Sequence, residues 1–486
     1  MSINLNNTKP IDQNDLKFDD LLSNLQGNIL KGHGRSHTAN IFVEFDAAKL
    51  AEVREWIHGF AEEHVTSAKK QLKENERFKR NRVPGGLFAG LYVTAKGYEY
   101  FQVPAGKRPS DVSFRNGMEN ASLKDPPRSE WESTFRDLNI HVLLLLAYHD
   151  KTVLSVGAAK IISELRPLTS NDPFVSSAIR IEYGNAIRNA NGDGLEHFGY
   201  VDGVSQPLFF KDENEDFKAN ATPSSGTKPV WDPFAPLKLV LVKDPSIATS
   251  DAFGSYFVFR KLEQDVRAFK EAEQAIATAL NLTGEDRELA GALVVGRFED
   301  GTPVTLTPKD GLIGSGAANN FTYDADKAGL RCPFQAHIRK SNPRGTGGAE
   351  PLAGEKAHIM ARRGIPYGQR EVTSEIESQP EQFPSGGGVG LLFQSFQADL
   401  SAQFEFIQKA WVNNATFPFS NPAGHTGVDP IIGQSARPPD PADRSYQWPA
   451  KYGKPGTPVT ASFASFVTLK GGQYFFAPSI EGLKAL

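Results

Sequence analysis

The stretch IHVLLLLAY (140–148) is almost continuously apolar. It is far shorter than the ~20 residues a membrane helix needs. It therefore reads as a strand buried on both faces or packed under helices. Working outward, NIFVEF (40–45) and FAGLYV (88–93) read as strands before it, and AIRIEY (178–183) as a strand after it. Between the first two, Leu50, Val53, Trp56, Ile57 and Phe60 recur at helical spacing from Asp46 to about His64. A second helical stretch covers about 151–165. The order βαβ–βαβ predicts an α+β fold, a four-stranded antiparallel sheet of ferredoxin-like type with helices on one face.

Further along, the order recurs. YFVFR (256–260) is a strand, Leu262 to Leu280 an amphipathic helix, GLLFQSFQ (390–397) a strand and Ser401 to Asn413 a helix. Phe466 to Leu469 and Tyr474 to Phe476 are expected as terminal strands. Two similar α+β halves follow from this reading, the second carrying a long irregular insertion at about 296–388. Residues 1–22 read as a loosely held polar tail, 23–210 as the first domain, 211–236 as a Pro/Ser/Gly-rich linker and 237–486 as the second domain. Residues 104–130, rich in Pro, Ser and charge, read as a surface loop. Long loops are usually functional or disordered, and the aromatic and basic residues at 296–388 point to function.

Composition narrows the class. The chain has 486 residues, 39% hydrophobic and 23% charged, as in ordinary globular proteins. Its 33 Phe against 3 Met predict a core of rigid aromatic packing. A net charge of −4 with no basic stripe argues against a nucleic-acid partner. The first twenty residues lack the basic and apolar regions of a secretory leader. With one cysteine, Cys332, no intramolecular disulfide can form, and a reducing cytoplasm is the simplest reading. No membrane partner is expected, and a homo-oligomer stays open.

The motifs exclude more than they include. No H-E-x-x-H, C-x-x-C-H, Cys/His cluster, G-x-S-x-G elbow or phosphate loop is present. Three segments remain. In HFGYVDGVSQP (197–207), Asp202 stands between Gly199 and Gly203, and glycines at that spacing permit a tight turn or close approach to a flat ligand. The commoner reading is a turn aspartate bonding its own backbone. The sharper one is a carboxylate in a semi-apolar pocket, adjusted for acid/base work. In RCPFQAHIRKSNPRG (331–345), His337 adjoins Arg339, Lys340 and Arg344. A lone histidine is more often packed or exposed than a ligand, yet an imidazole beside cations suits haem b, the cations neutralising the propionates. Cys332 stays open as a thiolate ligand. In AHIMARRGIPYG (357–368), Arg362 and Arg363 are either a surface pair or include one guanidinium turned towards a developing oxyanion.

At these places the chain resembles the dye-decolourising peroxidases. GYVDG matches their G-x-x-D-G signature, AHIRKSNPR resembles the segment of their proximal histidine and ARRGIPYG that of their distal arginine. GLLFQSFQADL resembles a strand of the distal pocket, and LQGNILKGHGR and FEFIQKAWVNN resemble the longer fungal and cyanobacterial members. The similarity runs from about residue 23 to the C-terminus. Single motifs of this kind are weak, and several in the correct order are strong. The resemblance implies two ferredoxin-like domains holding one haem b, His337 as iron ligand, Asp202 as distal acid/base and Arg362 as distal arginine. It places Phe393, Phe396 and Gly203 at the haem, although Gln394 stands where an apolar residue is expected. It gives Arg344 a propionate and makes Asp429 the carboxylate behind His337. Hydrogen peroxide would be the oxidant, and bulky aromatic dyes or phenolics the one-electron reductants. A carboxylate base stays ionised to low pH, so an acidic optimum is expected. Dyes too large for the distal pocket would give electrons through surface-reaching aromatics, with Trp411, Tyr367 and Tyr323 as stations. A haem carrier without turnover, or a haem-processing protein of related fold, is the alternative.

Overall fold

The computed structural model describes residues 3–169, 178–221, 229–248, 251–312, 318–369, 386–435 and 440–486. Its first half runs β1 (His37–Val43), a helix (Leu50–Glu63), β2 (Phe88–Val93), β3 (Val142–Tyr148), a helix (Lys151–Leu165) and β4 (Ile179–Asn185). β1 pairs antiparallel with both β3 and β4, and β3 pairs with β2, giving the order β4-β1-β3-β2. Every residue of β3 from Val142 to Ala147 is buried. Successive strand side chains face opposite ways, so four consecutive leucines require cover on both sides.

The second half repeats the plan. β5 (Phe253–Gln264) leads to a helix (Val266–Ala279), then β6 (Ile365–Tyr367), β7 (Gly390–Gln397), a helix with π-type turns (Leu400–Phe404 and Ile407–Val412) and β8 (Val467–Ala477). Its sheet order, β6-β7-β5-β8, is that of the first half read from the other edge. The sheets join where β2 meets β8 at Val93 and Phe476. At the opposite edges β4 abuts β6. A Cβ at Gly184 would fall 2.5 Å from Ile365 Cγ2, so glycine permits that approach.

Between the sheets lie the phenylalanines that the composition foretold. Phe42 of β1 meets Phe259 of β5 edge-on at 5.0 Å. Tyr92 of β2 lies 4.6 Å from Phe257, which lies 4.8 Å from Phe396 of β7. Each such pair adds about 0.5–1.5 kcal/mol beyond its buried area. Polar contacts link the two sheets too, among them Gln394 Nε2 of β7, which donates to Asn40 Oδ1 of β1 at 3.0 Å. This partner explains a glutamine at a position expected to be apolar.

Several expectations are corrected. The polar N-terminus is not loose in its described part. The Ile11 amide donates to Phe209 O at 3.0 Å, its carbonyl accepts from Lys211, and Phe18, Leu21 and Leu22 are buried. Single apolar residues among Asn and Asp carry no period, but each finds a core site. In the expected linker, Lys211–Ala221 is a helix burying Phe217, while 222–228 lie outside the described residues. The 104–130 segment is packed, with Phe114, Met118 and Leu123 buried and Asp125 paired to Arg260 at 2.6 Å. The helix expected from Leu262 begins at Val266, because β5 continues to Gln264. The two terminal strands are one, its register shifting between Leu469 and Gly471. Parts of the insertion, 313–317 and 370–385, lie outside the described residues. No described helix is long and apolar enough to cross a membrane.

Candidate active site

One cavity, holding about 1810 Å³ of empty space with its open mouth counted, brings together Asp202, Gly203, His337, Arg344, Arg362 and Phe393. Apolar side chains complete its walls, among them Leu391, Phe404, Ile407 and Ile431.

The loop bearing Asp202 is fixed by backbone. Gly199 and Gly203 have φ of +103° and +81°, which side chains disfavour. The Val201 amide donates to Glu299 O at 2.9 Å and that of Asp202 to Gly194 O at 2.9 Å. Asp202 Oδ1 accepts from the Gly203 amide at 2.6 Å and from Arg362 Nη1 at 3.4 Å. Asp202 is thus a turn aspartate that bonds its own backbone, and it also lines the cavity. Oδ2 has no hydrogen-bond partner among the described residues.

The arginine register follows from strand geometry. Ala361–Arg362 pairs with Phe396 and Ser395 of β7, and successive residues face opposite ways. Arg362 turns to the cavity, where Nη2 donates to Ser205 O at 3.0 Å and its amide to Gln206 Oε1 at 3.1 Å. Arg363 turns to the first half, donating to Asn28 O at 2.7 Å and Ile29 O at 2.9 Å.

His337 opens a short helix, His337–Ser341. Its Nδ1 lies 2.8 Å from Oδ2 of the fully buried Asp429, whose Oδ1 accepts the amides of Ile431 and Ile432 at 2.8 and 3.0 Å. Burial alone would pull His337 down, but the Asp429 carboxylate outweighs it and holds the imidazole above its ordinary range. Burial would push Asp429 up, but His337 and the two amides outweigh it and hold it low. Nε2 is left for the cavity.

Of the cations near His337, Arg344 reaches the cavity. Its guanidinium lies between Trp231 and Phe321, 4.1 and 4.0 Å from their ring centres, and Nη2 donates to Ser205 Oγ at 3.2 Å. Burial pulls it down to about 9. Arg339 donates to Cys332 O at 2.6 Å instead, and Lys340 is enclosed by main-chain oxygens. Cys332 is buried away from the cavity lining, with burial pushing its thiol up to about 12, so the thiolate-ligand alternative falls.

Two further corrections concern aromatics. Phe396 is fully buried between the sheets, not at the cavity, because alternation along β7 sends 391 and 393 one way and 392, 394 and 396 the other. We expect Phe396→Ala to cost about 3–5 kcal/mol in urea unfolding, with the cavity residues undisplaced in a crystal structure. Trp411, Tyr367 and Tyr323 are buried, at 3%, 7% and 0% exposure, so none reaches the surface. Trp411 stacks on Phe417 at 5.3 Å, and Tyr323 lines the cavity.

Ser205 and Gln206 were missed although they stand inside the HFGYVDGVSQP segment. Arg260, missed at the end of YFVFR, also lines the cavity, paired there with Asp125. A charge closing an apolar strand was the available signal.

Among the described residues no group of three His, Cys, Asp or Glu side chains could hold a bare metal ion. Iron at His337 would therefore take its other ligands from a macrocycle, and a wide apolar-walled cavity with Arg344 on its lining fits one. No family model matches the chain. Relatives over its whole length do. The multifunctional dye peroxidase of Amycolatopsis sp. is 43% identical over 96% of each chain, and its solved structure superposes with a TM-score of 0.87 over 98% of this chain and 99% of that one. The crystal structure of a peroxidase from Anabaena sp. is 40% identical, with a TM-score of 0.85 over 98% of this chain and 96% of that one. A dye-decolourising peroxidase solved with 2,6-dimethoxyphenol is 27% identical, with a TM-score of 0.73 over 96% of this chain and 98% of that one. The chain belongs to the dye-decolourising peroxidase family of haem peroxidases and is an enzyme acting on peroxide.

Proposed function

We propose that this chain is a haem b peroxidase that uses hydrogen peroxide to oxidise aromatic dyes and phenolic reductants. The observation that carries the reading is the Asp202–Arg362 pair, 3.4 Å apart, on the cavity that His337 lines. Haem, when bound, supplies the electrons that reduce peroxide and passes the oxidising equivalents to the donor. His337 Nε2 would hold the iron, with Asp429 sharing the Nδ1 proton and raising the basicity of the opposite nitrogen. Arg344 would pair with a propionate, and Gly203 and Phe393 would pack on the macrocycle. Asp202 Oδ2 takes the proton from the near peroxide oxygen and returns it to the leaving oxygen. Arg362 donates to the charge that grows on the leaving oxygen, its guanidinium held ready by Ser205 O.

The haem-binding domain would be 237–486, and 23–210 would contribute the Asp202 loop. The relatives named dye peroxidases, and the one solved with 2,6-dimethoxyphenol, support dyes and phenols as donors. One buried cysteine suits a cytoplasmic setting. An optical spectrum before and after equimolar peroxide tests the reading. The purified protein should show a Soret band that shifts on adding peroxide, and His337→Ala should lose the band or lose the response. An undiminished band and response in His337→Ala would end the assignment.

A further inference from the structure

Three residues beyond His337 the same short helix carries Lys340, whose side chain is fully buried. No carboxylate pairs with it among the described residues. Four oxygens instead lie within hydrogen-bond distance of its Nζ, Asn414 O at 2.8 Å, Phe417 O, Thr426 Oγ1 at 3.0 Å and Gly427 O at 2.8 Å. Four acceptors around one nitrogen suit an ammonium, with three N–H donors, better than an amine with two. A buried cation carries a desolvation cost of several kcal/mol, so its placement here calls for a return.

The chain closes a small circuit. Lys340 grips Thr426 and Gly427, and two residues later Asp429 reaches back to His337 Nδ1. The loop has other ties as well, to the helical segment ending at Val412, which packs on the helix of His337, and to Arg444, whose Nη1 donates to Asp429 O at 3.4 Å. The Thr426 amide donates to Ala415 O, Val428 to Asp443 O and Asp429 to Val412 O. Lys340 is thus a second direct tie, beside the His337–Asp429 bond itself, between the helix that bears the imidazole and the loop that bears its carboxylate.

We propose that Lys340 is a positioning residue that holds Asp429 in line with His337 Nδ1. Without it, three main-chain carbonyls lose their buried donor and the 414–427 loop relaxes. The Asp429 carboxylate then loses its fixed approach to the ring. The proposal rests on His337 as the iron ligand only for its redox consequence. A well-aligned carboxylate gives the imidazole anionic character, which favours the more oxidised iron.

Two readouts on the full-length holoprotein test this. In Lys340→Met, hydrogen exchange of residues 426–432 should lose protection relative to the wild type, a result that does not depend on haem. Its midpoint potential should shift positive, towards that of Asp429→Asn, and Lys340→Met added to Asp429→Asn should shift it no further. Thr426→Val keeps the lysine and should give a smaller shift of the same sign, which covers the case of poor folding by Lys340→Met. An unmoved potential with a lowered unfolding midpoint would reduce Lys340 to a structural residue. A negative shift would show the effect of lost charge alone, and either result overturns the proposal. Altered exchange in a protein without a Soret band would instead count against the haem reading.

Discussion

Asp202→Asn is expected to lower kcat/KM for hydrogen peroxide by about 10²–10⁴-fold, the range that a positioned acid/base supplies. Asparagine keeps Oδ1, so the Gly203 amide and Arg362 Nη1 retain their acceptor and the loop keeps its turn. What is lost is a group able to take a proton at Oδ2. Haem content, the Soret maximum and the unfolding midpoint should accordingly stay those of the wild type. Stopped-flow mixing with peroxide isolates the step from later oxidation of the donor. A rate equal to the wild type across the acid range would remove Asp202 from proton transfer and leave it as a turn residue.

The fold was legible because its signals are local and periodic. Four leucines in β3, the 3–4 spacing from Leu50 to Phe60, and the repeat of strand and helix order in the second half all survive in the structure. What stayed hidden depends on partners remote in sequence. Ile11 needed Phe209 to show that the N-terminus is held, and Asp125 needed Arg260 to show that the Pro-rich stretch is packed. In the site, the motif order brought Asp202, His337 and Arg362 forward, yet the face of each residue along β7 was not carried by resemblance. Phe393 and Phe396 differ by three positions, and in an extended strand an odd offset reverses the side. Counting alternation from Gln394, whose polarity has its answer in Asn40, would have put Phe396 between the sheets. The aromatic stations failed for a different reason. Composition names a tryptophan but gives no measure of its burial, and Trp411 is stacked inside the core.

Adjacent arginines give the sharpest contrast available in this chain. Arg362→Leu should lower kcat for peroxide reduction by about 10²–10³-fold, the loss seen when one donor to a developing oxyanion is removed. Leucine keeps the bulk beside Ser205 and Gln206, and the backbone bond from residue 362 to Gln206 Oε1 is unaffected by the change of side chain. Arg363→Leu removes a half-buried guanidinium that donates to Asn28, Ile29 and Arg362 carbonyls. Each orphaned carbonyl costs about 1–3 kcal/mol, so this variant should unfold at lower urea while its folded fraction reduces peroxide at the wild-type rate. The two substitutions are alike in chemistry and one residue apart, so only the side to which each guanidinium turns can separate them. If the losses were exchanged, with activity following 363 and stability following 362, the pairing of Arg362 with Ser395 would be out of register by one residue. The distal side of the cavity would then have to be rebuilt around the other guanidinium.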